Sequence, residues 1–98
     1  MVRLIKEDSS EMNDLYKLYD LVRNKLSEMF HVIPKVELDK YGRKVTFYLG
    51  NKDSKLVNSY TLKRWVKELD FKTDVWRSIH LSSYHGPPIG YDYVIKVI

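Results

Sequence analysis

Residues 2–12 read VRLIKEDSSEM, and how they are read decides the fold. Val2–Lys6 is a short apolar run suited to a strand. EDSSEM then carries a helix start, in which Asp8 or Ser9 can cap and Glu11 stands three residues after Asp8, as a capping box prefers. Beyond it Leu15, Leu18, Tyr19, Val22, Leu26, Met29 and Phe30 recur at helical spacing and form one stripe. Asp8, Glu11 and Asp14 fall in the expected first turns and Arg23 and Lys25 come later, an order that complements the helix dipole. His31 and Pro34 mark the helix end.

Working outward, Val36 and Leu38 alternate with Lys35, Glu37 and Asp39, and DKYGR turns the chain, with Gly42 expected at positive φ. On the return strand Val45, Phe47 and Leu49 share one face, while Lys44, Thr46 and Tyr48 share the other. GNKDSK reads as a polar loop. A second helix is expected from near Ser59 or Thr61 to about Asp70, with Leu62, Trp65, Val66 and Leu69 buried. Two strands follow. Val75, Ile79 and Leu81 point one way and Trp76, Ser78, His80, Ser82 and Tyr84 the other; Tyr91, Tyr93, Ile95 and Val97 then alternate with Asp92, Val94, Lys96 and Ile98.

With VRLIK as a strand the order is β-α-β-β-α-β plus one further strand. The expected fold is therefore α+β: a ferredoxin-like plait with an extra C-terminal strand, two helices covering one face of an antiparallel sheet. The alternative is a curled sheet around the first helix with VRLIK unpaired.

Composition sets the outer limits. The 98 residues are 44% hydrophobic and 31% charged, which suits a single folded domain over 1–98 rather than a disordered chain. No apolar run approaches the roughly 18 residues of a membrane span, and the first ten residues lack a secretory core. An intracellular, cytoplasmic location is expected, the host cytoplasm if the source is a virus. The chain has no Cys, which removes disulfides and zinc–thiolate sites. It also has no Ala and no Gln. Loss of Gln and Cys is a hyperthermophile trait, so a thermophilic archaeon or its virus is the expected source.

The net charge of +4 is unevenly spread. Residues 35–67 hold nine bases and three acids, while the segments on either side are slightly acidic. Lys63, Arg64 and Lys67, with Tyr60 one turn earlier, lie opposite the apolar stripe of the second helix. If that helix runs to Asp70, Lys63 and Arg64 stand near its N-terminus against the dipole, as though kept there for a partner. The blander account is a solvated face with local pairs such as Arg64–Glu68.

The stretch 76–93, WRSIHLSSYHGPPIGYDY, concentrates aromatics and histidines. His80 and His85 as acid and base, with Tyr84, Lys96 or Asp92 assisting, would give a metal-independent nuclease, but a five-residue spacing sends them to opposite faces of a regular strand. Three histidines without HxxxH spacing make no metal site, and no cofactor is expected. GPPIG reads as a rigid connector, since its prolines remove the N–H groups a phosphate loop would donate; the bonds before Pro87 and Pro88 are the ones where a cis form is accessible. Trp76, His80 and Tyr84 form an aromatic strip if that sheet side is uncovered, with Thr46 and Tyr48 extending it.

The leading expectation is a small basic nucleic-acid-binding protein, using Lys63, Arg64, Lys67, Tyr60, Arg43 and Lys44 for the backbone and Tyr48, Trp76, His80 and Tyr84 for stacking. The alternative is a protein-interaction or inhibitor module, self-associating through an edge strand or the aromatic strip.

Overall fold

A computed structural model describes residues 2–81 and 88–98, with side chains from Met12 onward. The described chain runs α1 (Val2–Met29), β1 (Val36–Asp39), β2 (Lys44–Gly50), α2 (Asn51–Ser54), α3 (Ser59–Val66), β3 (Thr73–Leu81) and β4 (Pro88–Val97).

The expected N-terminal strand is absent: VRLIK is the start of α1. No Gly or Pro interrupts residues 2–29, and an interior Ser such as Ser9 or Ser10 lowers helix stability by only about 0.5 kcal/mol. The cap signal at Asp8–Glu11 is therefore passed over. Asp8, Glu11 and Asp14 accordingly lie inside the helix, whose first turn has no acid and whose last turn has no base, so the expected dipole complementarity is not realised.

Four strands make one antiparallel sheet in the order β1-β2-β4-β3. This corrects the ferredoxin-like order, because the C-terminal strand, not an N-terminal one, lies inside the sheet. The coarser expectation stands: α+β, with the helices on one face. The stripe Leu15, Leu18, Val22 and Leu26 of α1, with Val57 and with Leu62 and Trp65 of α3, closes over Val45, Phe47 and Leu49 of β2 and Tyr93, Ile95 and Val97 of β4. Inside this core Phe47 stacks on Tyr93 with ring centroids 4.8 Å apart.

Local chemistry sets the joints. Asn58 caps α3, accepting from the Thr61 amide at 2.9 Å while the Thr61 hydroxyl accepts from the Asn58 amide at 3.2 Å. GNKDSK, expected as a loop, contains the single turn α2, with Ser54 buried and its hydroxyl donating to the Asn51 carbonyl. In the β1–β2 turn the positive φ belongs to Arg43 (53°) and not to Gly42. Glycine is required at 42 for room: its amide donates to Asp39 Oδ1 at 2.9 Å, and a Cβ there would sit 2.5 Å from Asp39 Oδ2. GPPIG is only partly a connector, since Pro88, Ile89 and Gly90 open β4; the bonds before Pro87 and Pro88 lie outside the described residues.

Gly90 shows how tightly that end of the sheet is built. It pairs with Gly50 across β2, and the Tyr48 ring lies over it while the Tyr48 hydroxyl donates to the Ile89 carbonyl at 3.0 Å. A Cβ at Gly90 would run into the Leu49 carbonyl and stand 2.7 Å from the Tyr48 hydroxyl. Because Leu49 offers backbone, not a movable side chain, Gly90→Ala is expected to lower stability by about 1–3 kcal/mol, read as a fall in the urea midpoint.

Candidate binding surfaces

The expected contact residues divide into two sets on opposite sides of a two-layer molecule. Register places Thr46, Tyr48, Asp92, Val94, Trp76, Ser78 and His80 on the sheet face that carries no helix. The aromatic strip is thus real among the described residues: Trp76 is 40% and Tyr48 38% exposed, and His80 is exposed. Tyr84 and His85 lie outside the described residues. Trp76 stands opposite Val94, and His80 meets the Tyr48 ring edge-on, with centroids 5.1 Å apart.

His80 Nδ1 lies 2.8 Å from Asp92 Oδ2, both side chains being nearly half exposed. The carboxylate orients the imidazole through its Nδ1. The pair stands on the helix-free sheet face, where Asp92 also borders a hollow lined by Lys35, Glu37, Thr46 and Tyr48.

The charges around the strip alternate. Asp39, Lys44, Lys96 and Asp74 form one row across the four strands, and Glu37 and Asp92 lie on the same face. Four acids therefore share this face with three lysines, Lys44, Lys96 and Lys35, the last 3.7 Å from Glu37, and the aromatic side of the molecule is not its basic side.

The basic set is on α3. Tyr60 (66% exposed), Lys63, Arg64 and Lys67 point away from the buried Leu62 and Trp65, hence away from the sheet. The structure does not join them to Tyr48, Trp76 or His80. Arg43 sits in the β1–β2 turn, and Lys44 belongs to the open sheet face.

The basic residues of α3 do not oppose its dipole, contrary to the expectation. The helix α3 ends at Val66 with Lys67 as its C-cap, so Lys63 and Arg64 occupy its last turn, where cations are favoured. Glu68 and Asp70 lie beyond the helix. The expected Arg64–Glu68 pair is replaced: Glu68 is engaged by Lys25 of α1 at 2.5 Å, and the carboxylate holds that ammonium above its usual pKa. Among the described residues no acid forms an ion pair with Lys63, Arg64 or Lys67.

Arg77 carried no role in the sequence reading. It shares the helix-side face with Val75 and Ile79, its guanidinium lies 4.0 Å from the Tyr91 ring centroid, and Nη1 donates to the Val57 carbonyl at 3.2 Å and the Tyr93 hydroxyl at 3.3 Å. Tyr93 in turn donates to the Val57 carbonyl. Strand parity alone could have placed Arg77 inward.

No cluster of potential metal ligands occurs among the described residues, and no described helix is long and apolar enough to cross a membrane. Comparison with protein-family models, curated proteins and solved structures finds no match.

Proposed function

We propose that the chain binds nucleic acid through the outer surface of α3, by contact with the phosphate backbone. The observation that carries this reading is that Lys63, Arg64 and Lys67 share one exposed helix face with Tyr60, while the neighbouring acid, Glu68, is drawn off by Lys25. Three bases with no ion-pair partner among the described residues are what a polyanion requires, and each phosphate they contact releases a counterion. Stacking on Trp76, Tyr48 and His80 is no part of this mode, since those rings face the other way among acids. The expected result is micromolar or tighter binding to short DNA or RNA at low salt. The slope of log affinity against log salt should be roughly −3 for three contacts on duplex DNA. Absent or salt-independent retardation would overturn the reading.

A second reading, protein interaction, is favoured by a different observation: the exposed Trp76 stands on the long edge strand β3, and the Tyr48 ring meets His80 of that strand. The nuclease reading has the His80–Asp92 pair in its favour.

A further inference from the structure

The two edges of the sheet differ in kind. The β1 edge is four residues long, flanked by Pro34 and Lys35, and carries Glu37 and Asp39. Short, charged edges of this sort discourage pairing. The β3 edge runs nine residues, Thr73–Leu81, with neither Pro nor Lys, and has no strand partner on its outer side among the described residues. It also carries the exposed apolar side chains Trp76, Ile79 (57%) and Leu81 (51%). Its one inward charge, Arg77, is turned toward the Val57 carbonyl and the Tyr91 ring of its own chain.

We propose that a second copy of this chain pairs antiparallel along β3, about a two-fold axis at Arg77, to give a continuous eight-stranded sheet. The strand is self-complementary in that register. Arg77 is the central residue of Thr73–Leu81, so each position has a counterpart. The regular pairing runs over Asp74–His80, the register of β3 with β4 shifting between His80 and Leu81. The exposed Ile79 and Leu81 of one copy face Val75 and Thr73 of the other, twice over by symmetry. On the open face Asp74 meets His80 of the second copy, which places the imidazole between that carboxylate and its own Asp92. Trp76 stands opposite Ser78 and diagonal to the second Trp76, within aromatic reach. The one unfavourable pair is Arg77 against its own copy, and both guanidinium groups are held toward their own helical layers.

The assembly has a consequence for α3, which packs on β3. Pairing brings both α3 helices to the axis on one side of the sheet, so two sets of Lys63, Arg64 and Lys67 become one surface. The dimer is inferred from the edge strand alone and stands whether or not that surface binds nucleic acid.

The test is mass in solution without nucleic acid, by light scattering and sedimentation. Twice the 11.7 kDa chain mass is expected at high concentration, and Ile79→Lys, at an exposed site, is expected to return the monomer with its melting curve kept. Register is tested by cross-linking, which the absence of native Cys makes clean. Directly opposed residues bring Cα atoms to about 4.5–5.5 Å, within disulfide range. A mixture of Val75→Cys and Ile79→Cys chains should therefore cross-link under oxidation, while either variant alone should not. A monomer up to about 1 mM chain, the weak limit of specific association, overturns the proposal. So does a dimer indifferent to Ile79→Lys, or a dimer in which a single cysteine variant cross-links with itself.

Discussion

Arg77→Met is expected to lower the unfolding free energy by about 2–4 kcal/mol, one of the two largest effects anticipated for this chain. The methionine keeps most of the stem volume, so the loss isolates the guanidinium. That group ties β3 to the segment between α2 and α3 by donating to the Val57 carbonyl, and it lies over the Tyr91 ring of β4. Hydrogen bonds from a charged group contribute about 1.5–3 kcal/mol and a partly desolvated cation over an aromatic face about 1–2. Val57 keeps the Tyr93 hydroxyl as a donor, which caps the loss at the sum of those two contributions. Urea unfolding should show a lower midpoint at unchanged slope, and Arg77→Lys, with the charge but not the planar fork, should fall between. A change under about 0.5 kcal/mol, the size typical of surface substitutions, would remove Arg77 from the structural account.

The same site carries a pH signature. Burial raises the Tyr93 phenol above its ordinary value of 10.0, and Arg77, by hydrogen bond and charge, works against the rise. A folded pKa above the unfolded one means stability that is complete below pH 10 and lost as pH climbs through the folded value. Arg77→Met removes the opposing influence and raises the folded pKa further, so its deficit against the parent should widen as pH rises above 10. There the parent's Tyr93 begins to titrate while the variant's stays protonated.

Arg77 also shows what the sequence revealed and what it concealed. Its parity matches Val75 and Ile79, yet a charge in mid-strand reads by default as solvent-facing, and only the carbonyls of the α2–α3 segment make the inward position tolerable. The four strands that form were legible because period-two alternation is strong from Val36 to Val97. Residues 2–6 were not, since five apolar and basic residues suit a strand or a helix equally and no breaker separates them from Leu15. The end of α3 was illegible for a similar reason. Val66 and Leu69 continue the helical spacing, no Gly or Pro stops it, and both side chains are half-buried although the helix ends between them. That end reversed the meaning of Lys63 and Arg64. The aromatic strip followed from parity, and its separation from α3 was already implicit in placing every helix on one face. The Lys25–Glu68 pair was not accessible, because it joins two helices that only packing brings together.

Reversing that α3 face is the second large effect. Lys63→Glu, Arg64→Glu and Lys67→Glu together are expected to weaken nucleic-acid binding by about two to three orders of magnitude at low salt. The salt slope should fall by roughly one per lost phosphate contact. Lys63 and Arg64 also favour the C-terminal end of α3, where each reversed charge costs about 0.3–1 kcal/mol, so loss of the helix is a competing cause. The triple glutamine variant separates the two: it keeps helix propensity, adds no repulsion, and should still flatten the salt slope. A Lys44→Glu, Lys96→Glu variant makes the opposing comparison, because those lysines belong to the open sheet face among four acids. If the backbone runs over α3, this pair leaves affinity within a few-fold while the α3 variants lose it. If the order is reversed, the polyanion lies across Trp76 and Tyr48, and the mode proposed for α3 is wrong. The pairing of β3 edges sharpens the contrast further, since in a dimer each α3 substitution removes two charges from one surface, whereas Lys44 and Lys96 remain on the far side of the sheet.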